Sequence, residues 1–234
     1  MKGFKKFISR PVVIVLLLVM AVGLLLGTGV EGTRAVLNQE SSPFHANVEV
    51  ASIDVALLEN GSQIANNGYN GGNPSGELKL SEIVDGKAKL GYKYPEQIAV
   101  QNTGSIPQFV RVTILKYWKE KGSNKRIDLD PSYIVLDETK DGWQKDANAS
   151  TSEREVFYYL PVLEPGQTTP ALSSTLSISP EVLNEKTEEN YTYDDLEFHL
   201  EAKVDAIQNH HAPDAIKSVW GISVSGDENH IFLN

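Results

Sequence analysis

Residues 196–206 alternate without a break. Leu196, Phe198, Leu200, Ala202, Val204 and Ala206 are apolar, and Glu197, His199, Glu201, Lys203 and Asp205 stand between them. A period of two puts one set on the buried face of a β-strand and the other on its wet face. Wound into a helix, the same residues would spread their charges around the whole circumference. A strand this long needs sheet partners, and the rest of the chain supplies them.

Residues 108–118 are rich in Val, Ile and aromatics, with Val110, Val112 and Ile114 on one face. Residues 155–163 hold Val156, Phe157, Tyr158, Tyr159 and Leu160. They close on Leu163-Glu164-Pro165-Gly166, where Pro presets one turn residue and Gly supplies the positive φ of the next. Residues 168–179 alternate through Leu172, Leu176 and Ile178, and 133–136 form a short candidate. In 47–58, Val48 and Val50 lie in one phase and Ile53, Val55 and Leu57 in the other. A bulge or bend is therefore expected near Ala51 and Ser52. Residues 66–76 read as a polar, glycine-rich loop. A short helix is expected after Pro180 within 179–190, with Glu181 in its first turn. Another is expected over 213–220, opening on Pro213 with Ala215, Ile216, Val219 and Trp220 on one side. The expected fold is all-β, a jelly-roll-like β-sandwich with short helical decorations, preceded by an N-terminal signal helix.

The amino end reads as an address. Lys2, Lys5, Lys6 and Arg10 precede residues 11–30, which carry no charge, and Thr33-Arg34-Ala35 places small residues at a cleavage position. Basic head, apolar middle and small-residue site make a secretory signal, cut between Ala35 and Val36. The rival reading is a retained membrane anchor, since twenty uncharged residues just reach across a bilayer. Either reading places the body outside the cytoplasm, secreted or on the cell surface. The expected divisions are residues 1–35 as signal, 36–46 as an extended segment, 47–208 as the sandwich and 209–234 as a tail with a short helix. Cleavage removes five basic residues and one acidic one, taking the net charge from -10 to -14. An acidic chain does not suit nucleic acid, whose phosphates need a basic face.

Catalytic signatures are scarce. With no cysteine, the chain offers no disulfide framework, no thiolate zinc site and no cysteine nucleophile. The five histidines, His45, His199, His210, His211 and His230, form no H-E-x-x-H pattern. His210 and His211 are neighbours in an expected loop, where their side chains should diverge. The acidic runs (Asp128 and Asp130; Asp137, Glu138 and Asp141; Glu185, Glu188, Glu189, Asp194 and Asp195) do not match the twelve-residue calcium loop and read as a solvated charge face. No G-x-S-x-G signature occurs, and Gly71-Gly72 lies in a polar loop rather than between strand and helix. Trp118, Trp143, Trp220 and the pairs Tyr158/Tyr159 and Tyr191/Tyr193 could stack on sugars, but in a sandwich most aromatics fill the core. No catalytic residue, metal ligand or cofactor is assigned.

Several stretches together resemble a known family. Gly32-Thr33-Arg34-Ala35 ends the signal, and a short polar stretch and the 47–58 strand follow. Tyr94-Pro95-Glu96 precedes Val100-Gln101-Asn102-Thr103-Gly104-Ser105-Ile106-Pro107-Gln108-Phe109-Val110-Arg111-Val112, and Leu163-Glu164-Pro165-Gly166-Gln167-Thr168-Thr169-Pro170 forms a later turn. Ala202-Lys203-Val204-Asp205-Ala206-Ile207-Gln208 closes the series, with Trp220 after it. In this order they resemble the exported TasA/camelysin group of Gram-positive bacteria; residues 119–153 and the tail after Gly221 match less clearly. The resemblance implies a secreted jelly-roll protein, processed by a dedicated signal peptidase after Sec export, that polymerises into biofilm-matrix fibres by donating an N-terminal strand to the next subunit. An accessory matrix protein is a further partner it allows. Camelysin-like members are also described as metallopeptidases, and this sequence has no zinc motif to match.

A physical rationale stands beside the resemblance. An unpaired sheet edge templates another strand, and an extended segment can add there through its backbone. Val36, Leu37, Phe44, Ala46, Val48 and Val50 would be the apolar plugs of such a donor. The alternatives are a disordered leader, a segment that pairs within its own subunit, a secreted metallopeptidase using His45, His199 or His210, and a monomeric adhesin or carbohydrate-binding module.

Overall fold

The computed structural model describes residues 11, 13–24, 51–66, 73–81, 83, 88–121, 125–185 and 196–234. The chain divides into two units, residues 1–49 and 50–234. In the first, residues 13–24 are helical. Among the described residues no helix is long and apolar enough to cross a membrane.

The second unit is an all-β body. Its strands are β1 (Val55–Glu59), β2 (Ser62–Asn66), β3 (Ser75–Glu77), β4 (Tyr94–Pro95), β5 (Ile98–Asn102), β6 (Gln108–Glu120), β7 (Lys125–Arg126), β8 (Ile134–Glu138), β9 (Trp143–Lys145), β10 (Arg154–Leu163), β11 (Ser173–Ile178), β12 (Leu196–Gln208), β13 (Val224–Gly226) and β14 (Ile231–Leu233). Every strand pairing is antiparallel.

Two layers enclose the main core. One has the order β3-β12-β6-β10-β9, with β7 on the far end of β6. The other is built from β2-β1-β5 and β4-β11-β8. The stretch before β11 joins these two pieces: Leu172 N donates to Ile98 O at 2.7 Å, Thr169 N to Val100 O at 2.9 Å and Asn102 N to Gln167 O at 2.9 Å. Val55, Leu57, Ile98, Val100, Leu136 and Leu176 of this layer meet Val112, Ile114, Phe157, Leu200, Ala202 and Val204 of the first. Successive strands mostly cross from one layer to the other, the jelly-roll habit of closing a sandwich.

The long strands behave as their pattern requires on the inner face and differently on the outer one. Asp205 was expected on the wet side of β12, yet it is buried, with Arg111 Nη2 donating to it at 2.7 Å; Ile207, in the same register, is buried too. For Ile207 the reason is a second, outer core. Phe109, Val156, Tyr158 and Ile207 turn outward and are covered by Ala212, Ile216 and Trp220 of the nine-residue helix Ala212–Trp220, and by Val224 and Ile231 of the β13–β14 hairpin. That helix matches the expected one in span but not in face: Ile216 and Trp220 are buried with Ala212, while Val219 is exposed; it ends at Gly221 in a left-handed conformation.

Other expectations shift. Instead of running through 47–58, the first strand starts at Val55, and residues 47–50 lie outside the described residues. The carbonyls of Ser52 and Asp54 are taken up by the amides of Ser105, Thr103 and Gly104, so this stretch caps a loop rather than joining a ladder. A Cβ at Gly104 would sit 2.4 Å from Ser52 O, which leaves glycine as the residue that fits. The register shift in this strand falls between Leu57 and Leu58, not at Ala51 and Ser52. Asn60 and Gly61, both at positive φ, make the two-residue turn into β2. Ser75 to Glu77, placed in the 66–76 loop and just past it, form β3 instead. After Pro180 the chain makes a 3₁₀ turn, Pro180–Asn184. Gly166 takes its expected positive φ.

Candidate functional site

The predicted donor residues Val36, Leu37, Phe44, Ala46, Val48 and Val50, the cleavage pair Ala35 and Val36, and His45, Tyr191 and Tyr193 all lie outside the described residues. The three tryptophans are inside. Trp118 and Trp143 are buried in the main core, with indole N–H groups donating to Asp130 O and Pro170 O, each at 2.9 Å. Trp220 is buried in the outer core against Tyr158. Their faces are occupied by packing, so they do not form a platform for a sugar.

The described histidines sit apart from one another, except for one adjacent pair, and two of them, His199 and His210, meet carboxylates. His199 meets Glu77 of β3 through Nδ1, and its Nε2 lies 3.7 Å from Glu197. His210 Nδ1 is 2.8 Å from Glu228. His210 and His211 do not diverge; their rings meet edge to face at 4.2 Å, because His211 takes a left-handed turn into the helix. His230 packs on Phe232. Among the described residues, no three metal-ligating side chains gather in one place.

The acidic runs are largely bonded within the chain. Arg126 donates to both oxygens of Asp128 and holds its carboxyl at about 2, well below the usual range. Asp130 accepts from Ser132 N at 2.8 Å, capping the 3₁₀ turn Pro131–Tyr133. Lys93, 2.9 Å from Asp137, pulls that carboxyl down as well. A shallow open depression over residues 126–131 exposes Ile127.

One polar group sequence reading missed lies within the sandwich. Lys116, on the inner face of β6, is buried. Its Nζ donates to Ile134 O of β8 at 2.8 Å and to Glu155 Oε1 of β10 at 3.0 Å. Lys145 of β9 donates to the same Glu155 oxygen at 2.9 Å and to Glu138 of β8 at 2.7 Å. Burial opposes the charge of Lys145, but its bonds to Glu138 and Glu155 outweigh that and raise its pKa. A buried Lys is expected only when paired, and no local pattern announces the pairing.

The remaining features able to engage another molecule are sheet edges. β2 is broken by the shift opposite Leu57 and Leu58, and a bulge turns an edge away from partners. β8 carries Asp137 and Glu138 at its end, both engaged by lysines. β9 is three residues long. β12 differs. It is thirteen residues long and pairs with β6 along its whole length. On its other side, among the described residues, it pairs with β3 at Glu201, Ala202 and Lys203, and Leu200 and Val204 bond to Leu78 and Pro74 at the ends of that ladder. Its inner face presents Leu200, Ala202 and Val204 to the core.

Comparison of the chain with protein-family models, with curated proteins and with solved structures finds no match in any of the three.

Proposed function

We propose that the chain is a secreted structural protein whose copies join into extracellular fibres, each adding an extended segment to a sheet edge of the next. The observation that carries this reading is the outer side of β12, a long edge that, among the described residues, a short strand covers only in its middle. An added strand gains backbone hydrogen bonds along such an edge, and alternate side chains fill the pockets beside it. The donor is the segment from Val36 to Val50, with Val36, Leu37, Phe44, Ala46, Val48 and Val50 as plugs. Before cleavage the signal segment tethers this donor, so assembly waits for export and the signal peptidase. Donation from one copy to the next does not close on itself, and filaments follow.

Electron microscopy of residues 36–234, set beside a protein beginning at Asn47, tests this directly. Fibres are expected from the first and none from the second. Equal fibres from both would refute donation from this segment, and a stable monomer of 36–234 would refute polymerisation.

A further inference from the structure

Lys116 and Glu155 stand on the paired strands β6 and β10, and both are buried. Ile114 and Trp118 flank the lysine along its strand, Phe157 follows the glutamate along the other, and all three belong to the main core. The carboxyl is used unevenly. Its Oε1 takes two ammonium groups, Lys116 at 3.0 Å and Lys145 at 2.9 Å. Its Oε2 is buried and, among the described residues, has no hydrogen-bond partner. An oxygen in that position has given up water and gained nothing in return.

One reaction removes that atom. We infer that Lys116 and Glu155 condense into an intramolecular amide, a cross-link between β6 and β10 that the folded chain makes by itself. Two of the three ammonium protons pass to Oε2, and the freed nitrogen lone pair forms the bond to Cδ. The Cδ–Oε2 bond breaks with its electron pair, and Oε2 departs as water. An ammonium and a carboxylate together hold the atoms of one amide and one water, so the balance needs no co-reactant. The ion pair is the state before the bond forms.

The product keeps the bonds the pair already makes. The third proton stays on the nitrogen and donates to Ile134 O, which Lys116 Nζ reaches at 2.8 Å. The amide oxygen is Oε1, still accepting from Lys145. Lys145 retains Glu138 at 2.7 Å as its counter-ion. Two buried charges disappear together, and the penalty for holding them away from water goes with them.

The setting also supplies what the step requires. A lysine desolvated among apolar side chains is an activated nucleophile. Ile134 O and Oε1 hold its nitrogen from two sides, one bond short of the carbon it attacks. Lys145 aims its charge at Oε1, the oxygen that becomes negative in the tetrahedral intermediate. Glu138 and the Phe157 ring, 5.5 Å away, keep it there. Lys145 touches the same carboxyl but is a poorer nucleophile: its side chain is 32% exposed against 4% for Lys116, and it is shared with Glu138. The cross-link does not depend on the fibre reading.

Mass spectrometry of the full chain tests this. Folded protein should be lighter than its sequence by the mass of one water, and chain held in urea from the start should carry the full mass. Digestion should place the loss in a branched fragment that joins the peptide of Lys116 to that of Glu155. Lys116→Arg, whose guanidinium does not attack a carboxyl, should keep the full mass. In Lys145→Met, checked as folded by circular dichroism, the lighter species should form about a hundredfold more slowly after dilution from urea, the scale of losing one donor at an oxyanion. An unaltered folded chain at full mass would overturn the cross-link. A water loss mapped to Lys145 or to any other site would overturn it as well, as would a loss that persists in Lys116→Arg. An unchanged rate in Lys145→Met would remove Lys145 from the reaction.

Discussion

Lys116 and Glu155 meet 3.0 Å apart inside the sandwich, and the same ammonium reaches across to the backbone of Ile134 in the opposite layer. The pair therefore ties β6, β10 and β8 together at one point. Burying two charges is costly, and removing one partner strands the other. Glu155→Leu should cost about 3 kcal/mol or more, because Lys116 keeps only a carbonyl oxygen. The double variant Lys116→Met with Glu155→Leu should recover most of that loss. Urea midpoints of the two proteins check this; a double variant no more stable than Glu155→Leu would be the contrary result.

Asn102 is fully buried and serves three groups. Its Nδ2 donates to Ile106 O at 2.9 Å and to Leu163 O at 2.8 Å, and its Oδ1 accepts from Gly104 N at 2.9 Å. Asn102→Ala would leave two carbonyls and an amide without this partner. The expected loss is about 3 kcal/mol, read from denaturant unfolding. A change below about 0.5 kcal/mol, the scale of an ordinary surface substitution, would show that these bonds are replaced by water at no cost.

Asp227 accepts from the amides of Asn229 and His230, and these bonds lower its pKa from the ordinary 3.8. A lowered folded value means the contribution is complete above the ordinary value and fades as pH falls through the folded one. The turn between β13 and β14 should therefore loosen in acid, seen as faster corrected exchange at Asn229 and His230. Asp227→Asn should abolish that acid response, since its amide oxygen accepts the same bonds without titrating.

On the proposed fibre reading, assembly of residues 36–234 should respond to salt. At a net charge of -14 for residues 36–234, copies repel at long range, and salt shortens that reach to about 8 Å at physiological strength. Light scattering should show faster fibre growth as salt is raised. Growth that slows with salt would point to ion pairs, rather than backbone and apolar contacts, as the joining force.

The inner face of the fold was legible in the sequence because alternation is local. Leu200, Ala202 and Val204 announce their burial from their spacing, and they are buried. What alternation does not carry is the covering of the outer face. Ile207 is buried by a helix that returns over the sheet, and Asp205 is held by Arg111 of the neighbouring strand; both contacts exist only after the chain has folded. Lys116 shows the same limit from the other side: it continues the inward register of Val112 and Ile114, but a lysine at that position reads as a break. β7, β9, β13 and β14 are two or three residues long, too short to display a period. Asn60-Gly61 did carry a hairpin signal, one that was open to reading. Of the candidate site, the spacing gave β12 and its polar residues but not β3, whose Gly76 belongs as readily to a loop.

Among the described residues, the helix Ala212–Trp220 and its hairpin back only one end of the β12 sheet, so three layers stand there and two at the Trp118 end. Under tension along that sheet the thick end has more apolar surface to expose before it yields. A pulled subunit should part first at its thin end, leaving the tryptophan-capped portion as the last to come undone.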